Sequence, residues 1–199
     1  MKYKKDDEVL EIVQEDSPES PREWDNVGTM ACFHPDYTLG DKQDEISKDD
    51  YTSWDHMEAE LNKRAEIVIR LRLYDHSGVS ISASTGHPYS CQWDSMTVGF
   101  IYVTAEELRK NYVCKRITKK ILAKARAMML SEIKTYNQYL TGDVWGFRKY
   151  TIKTCENCLH EEEEEVDSCY GFYGTDFKEN GLLEHAEIKK LEEWEVIEE

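Results

Sequence analysis

Six aspartates of this 199-residue chain sit beside turn-forming residues or at the ends of apolar runs. They are Asp25 in W-D-N, Asp41 in L-G-D, Asp75 in Y-D-H-S-G, Asp94 in W-D-S, Asp143 in G-D-V and Asp167 in D-S-C. Carboxylates at strand ends can converge on a hard divalent cation, because Mg²⁺ and Ca²⁺ take oxygen ligands. His34 and His76 would soften such a site towards a transition metal. That set would suit a small metal-dependent hydrolase or nuclease. The same residues also have a structural use, since aspartate beside Gly, Asn or Ser bonds nearby backbone amides and holds a turn. No nucleotide-binding glycine loop, H-E-x-x-H or G-x-S-x-G occurs, so no catalytic residue is assigned.

Cys155-Glu156-Asn157-Cys158 forms a second constellation, with His160 and Cys169 close in sequence. A C-x-x-C knuckle at a hairpin tip can supply two of the four ligands of a zinc ion, and His160 and Cys169 would complete a Cys₃His set. The second knuckle of a full zinc signature is missing, and the pair lacks the βαβ setting of a thioredoxin-like site. Incidental surface thiols are the competing reading.

Charge is the third signal. Asp and Glu number 41 against 25 Lys and Arg, a formal net charge of −16. Arg109, Lys110, Lys115, Arg116, Lys119, Lys120, Lys124, Arg126 and Lys134 nevertheless crowd one stretch, in which Glu132 is the only acid. The acids collect elsewhere, at Glu161, Glu162, Glu163, Glu164 and Glu165 and at Glu192, Glu193, Glu195, Glu198 and Glu199. One reading pairs the two surfaces within a molecule or across a homodimer. The other has the acidic face imitate a phosphate backbone and dock into a basic groove, by the Coulombic attraction that governs DNA binding. The overall charge argues against free nucleic acid and anionic membrane as partners. The N-terminus lacks an apolar signal core and no run could span a bilayer. Six cysteines without a secretion signal fit reduced thiols, and the expected compartment is the cytoplasm.

These groups need elements to hold them. Val98–Val103 reads as a buried strand, and Thr104 with Glu107 makes the S/T-x-x-E box that starts a helix. A second helix follows Thr118, with Leu122, Ala125, Met129, Ile133, Tyr136 and Leu140 on one stripe and Gly142 as its stop. Ile67, Ile69, Leu71 and Leu73 alternate with polar residues, so 65–74 and 79–83 form a hairpin. Residues 143–154 and 166–173 form another, joined by C-E-N-C-L-H-E-E-E-E-E. Residues 1–16 read as an edge strand, 27–33 as a short buried strand, and 51–64 as a helix capped by Thr52 or Ser53. The expected architecture is α+β: one mainly antiparallel sheet crossed by the 119–140 helix. A single domain would cover 1–180, with an acidic helical tail at 181–199. Leu71, Phe100, Tyr102, Met129, Tyr136 and Phe147 should be core. Trp93, Trp145, Phe147, Phe172 and Tyr173 should meet at the sheet's centre.

Several blocks carry a resemblance: P-R-E-W-D-N-V-G-T-M-A-C-F-H (21–34), Y-T-L-G-D-K (37–42), Y-D-H-S-G-V-S-I-S (74–82), W-D-S-M-T-V-G-F-I-Y-V (93–103), Y-N-Q-Y-L-T-G-D-V-W-G-F (136–147) and D-S-C-Y-G-F-Y-G (167–174). Together they resemble a family of small, mostly uncharacterised proteins encoded by phages and mobile elements of gut and other Gram-positive bacteria. Some phage proteins of this kind are anti-CRISPR inhibitors of the guide-RNA-directed nuclease of type II systems. The resemblance thus implies a non-enzymatic counter-defence protein. Its partner would be a host defence nuclease or its RNA-bound complex, inhibited through loss of DNA engagement, or an antirestriction target. It supplies no catalytic residues. The cysteine-bearing connection and the acidic tail lie outside the matching blocks.

Overall fold

The computed structural model describes residues 1–41, 46–75, 78–83, 95–154, 158 and 160–198. In chain order the first elements are β1 (Lys2–Lys5), β2 (Glu8–Gln14), β3 (Thr29–Cys32), α1 (Trp54–Arg64), β4 (Ala65–Asp75) and β5 (Val79–Ser82). There follow β6 (Ser95–Thr104), α2 (Ala105–Asn111), α3 (Lys119–Leu140), β7 (Val144–Thr154), β8 (Glu161–Tyr173), α4 (Leu182–His185) and β9 (Glu195–Glu198). The fold is α+β and its strand pairs are antiparallel. The strands expected in one sheet belong to two, of orders β8-β7-β2-β1-β9 and β3-β6-β4-β5. Each sheet lies in its own compact unit, unit 1 being Met1–Glu19 with Gly142–Glu199 and unit 2 being Ser20–Thr141.

Unit 2 is a three-layer body. Ile67, Ile69, Leu71 and Leu73 of β4 share a core with Ala125, Met129, Ile133 and Tyr136 of α3, as their periods of two and about 3.6 require. On the sheet's other face, Phe100 and Tyr102 of β6 pack with Met57 and Leu61 of α1. Because β6 is covered on both sides, its sequence is a continuous apolar run without alternation. Gly99 sits where β3 crosses closest: a Cβ there would fall 1.9 Å from the Ala31 carbonyl oxygen, so only glycine lets the strands pair. The caps follow the sequence. Ser53 accepts from His56 N, and Thr118 accepts from Ile121 N. Thr104 and Glu107 form the reciprocal capping box. Gly142, at φ 70°, takes the left-handed position after α3.

Unit 1 is a five-stranded sheet with one face closed by the C-terminal segment. Leu10, Ile12, Phe147 and Phe172 pack against Leu182, Ala186, Ile188 and Trp194. Residues 1–16 were expected as one edge strand. They form the β1–β2 hairpin instead, and β2 is interior, paired to β7 from Glu8↔Thr151 to Gln14↔Trp145. The tail also differs from the expected helix. Glu187, at φ 60°, breaks α4 after one turn, with Ile188 N bonded to the Leu183 carbonyl at 2.7 Å. The apolar residues whose spacing suggested a helical stripe therefore reach the core from turns, and Glu195–Glu198 pairs with β1 as an edge strand.

Leu71, Phe100, Tyr102, Met129, Tyr136 and Phe147 are all buried. Of the aromatic set, Phe147 and Phe172 meet with ring centroids 6.1 Å apart, and Trp145 packs beside them, edge-on to Phe177. Tyr173 turns its hydroxyl to the Glu19 carbonyl, and Trp93 lies outside the described residues.

Candidate functional site: an acidic sheet edge

The sequence assigns Glu161–Glu165 to a connection, with the strand starting at 166. In the structure they begin β8. Glutamate is a poor strand former, but cross-strand pairing decides here: Glu161 lies opposite Thr154, Glu163 opposite Ile152 and Glu165 opposite Tyr150. β8 and β9 are the two edges of the sheet, separated by four strand spacings, about 19 Å. Both acidic clusters named from the sequence therefore flank one sheet. All five glutamates of β8 are exposed although they alternate between its faces, because the outer end of the β7–β8 ribbon has no covering layer among the described residues. An edge strand so charged also resists pairing with foreign strands.

Partners are few. Lys2 donates to Glu163 at 2.7 and 2.9 Å, and this bond holds the Lys2 ammonium above its ordinary value. Lys153 pairs with Glu164. Lys5 donates to Glu193 at 2.7 Å and Lys190 lies 3.1 Å from the same carboxylate, which is held below the usual range by those two bonds. Among the described residues no ion pair reaches Glu161, Glu162, Glu165, Glu192, Glu195 or Glu198. Glu199 lies outside them. The charges of the units diverge. Unit 1 carries 24 Asp and Glu against nine Lys and Arg, a net of −15; unit 2 carries 17 against 16, a net of −1.

The basic stretch behaves as the converse surface. Arg109, Lys110, Lys115, Arg116, Lys119, Lys120, Lys124, Arg126 and Lys134 are all exposed, and none is ion-paired to a described residue. Among the described residues the cations that answer the acidic segments are Lys2, Lys5, Lys153 and Lys190 rather than this cluster. Glu132, the only acid within it, points inward. Its carboxylate accepts from Val27 N at 2.7 Å and Gly28 N at 3.3 Å, and meets Arg22 at 3.4 Å. Arg22 also grips Asp41 through two bonds of 2.7 and 2.8 Å. Sequence reasoning missed this inward anchor. Its signal was a lone acid on the apolar side of a helix, one position from buried Ile133.

The turn aspartates are dispersed. Asp41 serves Arg22 and Met30 N, Asp143 accepts from Trp145 Nε1 at 2.8 Å, and Asp75 ends β4. Asp25 is exposed, Asp167 lies on β8 opposite Lys149, and Asp94 and His76 fall outside the described residues. His34 stacks near Tyr37 and accepts from Asp36 N. Among the described residues no three His, Cys, Asp or Glu side chains form a group able to hold a metal ion.

For the zinc set, Cys155 lies outside the described residues, while Cys158 and His160 are exposed. Cys169 faces Phe147 inside the sheet. Eight residues of extended strand separate it from Glu161, about 26 Å at ~3.3 Å per residue, so it stands apart from the hairpin end. No described helix is long and apolar enough to cross a membrane. No family model, curated protein or solved structure matches the chain.

Proposed function

We propose that this is a counter-defence protein of phage or mobile-element origin, working in the host cytoplasm, that binds a defence nuclease complex and keeps DNA from it. The observation that carries the reading is the β8 edge. Its five consecutive glutamates alternate between the two faces of an exposed ribbon, so carboxylates recur about every 6.6 Å on each face and line one edge with negative charge, as phosphates line a DNA strand. Among the described residues no cation is paired with Glu161, Glu162 or Glu165, so none of those has to be displaced before they meet a basic groove. The net charge of unit 1 would steer the encounter. The hydrolase alternative is not favoured by Asp41 and Asp143, which belong to different units and are engaged by Arg22 and by Trp145 Nε1.

The test is cleavage of a target plasmid by a guide-RNA-loaded type II nuclease and, in parallel, by a host restriction enzyme. Wild-type protein should inhibit one of them, and E161Q/E162Q/E165Q should raise the dose required roughly tenfold or more by slowing association. Cleavage by both that is unaffected by the wild-type protein would sink the reading.

A further inference from the structure

We infer that the exposed basic surface formed by the α2–α3 connection and the outer face of α3 binds the phosphate backbone of B-form duplex DNA. This does not rest on the acidic edge, which belongs to the other unit.

From Leu108 to Ser131 the chain has eight Lys and Arg and no Asp or Glu. The next acid, Glu132, is withdrawn into the core side by Arg22, Val27 and Gly28, so it does not neutralise the surface. Lys119, Lys120, Lys124 and Arg126 are exposed and without an ion-pair partner among the described residues. Between them Ala123, Ala127 and Ser131 recur every four residues as a strip of small exposed side chains, over which a backbone could approach closely. Lys119 to Lys134 spans about 22 Å of helix, the length of roughly six base pairs.

Two local placements run against stability. Helix starts favour acids, yet the first turn of this 22-residue helix holds Lys119 and Lys120 after Lys115 and Arg116, and no acid. Val113, in the connection, is 92% exposed at φ 46°, in the position after α2 where glycine is usual. A β-branched residue held left-handed and in solvent is strained. Such departures are expected where a surface serves a partner.

The chemistry selects among nucleic acids. Single strands are held by stacking on aromatic side chains, and no exposed residue of α3 is aromatic. An A-form RNA duplex has a groove too narrow for a helix, whereas the B-form major groove admits one. The chain's net charge of −16 opposes long-range attraction, but at physiological salt charges beyond about 8 Å are largely screened.

The experiment measures fluorescence anisotropy of a labelled random-sequence DNA duplex with the whole protein, between ~50 and ~200 mM salt. About four phosphate contacts predict a slope of log affinity against log salt near −4 and a loss of roughly two orders of magnitude over that range. K120A/K124A, at exposed unpaired sites, should leave the thermal midpoint unchanged and flatten the slope by about 2. V113G should raise the midpoint by relieving the backbone while weakening binding several-fold, an effect that a merely structural role would not produce. E162Q/E165Q should not weaken DNA binding, although it impairs the acidic edge, so the two readings fail separately. The inference is overturned if no duplex binding occurs at ~50 mM salt, or if K120A/K124A binds like wild type. Equally tight capture of an RNA duplex would overturn it as well. So would a change in sedimentation without DNA, which would make the surface a contact between copies.

Discussion

In unit 2, Glu132 is folded inward onto Arg22 and two backbone amides. In unit 1, Glu161, Glu162 and Glu165 stand in solvent on an edge strand, with no described cation answering them. The side chain is the same and its physical role is reversed. A carboxylate 9% exposed beside a guanidinium 4% exposed is fixed by what its removal would strand. A carboxylate at a solvated edge can be removed with little effect on folding, and so is free to serve a partner. Composition counts both alike, which is why net charge alone says little about function.

Glu132→Ala should show the largest effect. It leaves Val27 N and Gly28 N without their acceptor and Arg22 with Asp41 as its one remaining described carboxylate, for a loss of about 3–4 kcal/mol in denaturant unfolding. A loss under about 1 kcal/mol would place that carboxylate with the surface acids and erase the contrast. Trp145→Ala in unit 1 should come next, at about 3 kcal/mol. It removes half-buried packing on Phe177 and the bond to Asp143.

Unit 2 also carries its pH dependence inside. Burial pushes the Tyr136 hydroxyl from its usual 10.0 up to about 12, and the Cys32 thiol from 9.0 to about 12. Both are neutral when protonated, and the unfolded chain loses those protons first. Their contribution is therefore complete below the ordinary values and is lost as pH rises towards about 12. Tyr136→Phe should remove on the order of 2 kcal/mol of that alkaline loss, at the cost of the acceptor for Gly40 N. Equal alkaline slopes for both proteins would show that the hydroxyl is not what titrates. E161Q/E162Q/E165Q should have the smallest effect, within about 0.5 kcal/mol of wild type at any pH above the carboxylate range.

Local order was well encoded. The capping box at Thr104, the α3 stripe and the alternation of β4 each contain their own evidence, and each element formed where those signals lay. Partnership between strands was not. β4 and β7 are each 11 residues long, and nothing within either says that they join different sheets. Strand identity at Glu161–Glu165 was hidden because it depends on β7 lying opposite, not on the glutamates' own preference. The tail misled through coincidence: Leu182, Leu183, Ile188, Leu191 and Trp194 have helical spacing, but one left-handed residue at 187 redirects the chain. Of the candidate site, charge and residue identity were legible; its place at the rims of a sheet was not.

The β2–β7 pairing also bears on the order in which the chain can assemble. Gln14 faces Trp145, and Glu15 N bonds the Val144 carbonyl at 2.9 Å, so unit 2 leaves and re-enters unit 1 at neighbouring points. During synthesis all of unit 2 emerges before β7 exists, while β1 and β2 wait without their partner. Closing a long disordered loop costs entropy that grows with the logarithm of its length, and a folded insert with adjacent ends removes most of that cost. Unit 2 should therefore act as a template for unit 1. In pulse-labelled hydrogen exchange, β4 and β6 amides should be protected before those of β2 and β7. Simultaneous protection of all four strands would mean that the insert offers its host no kinetic help.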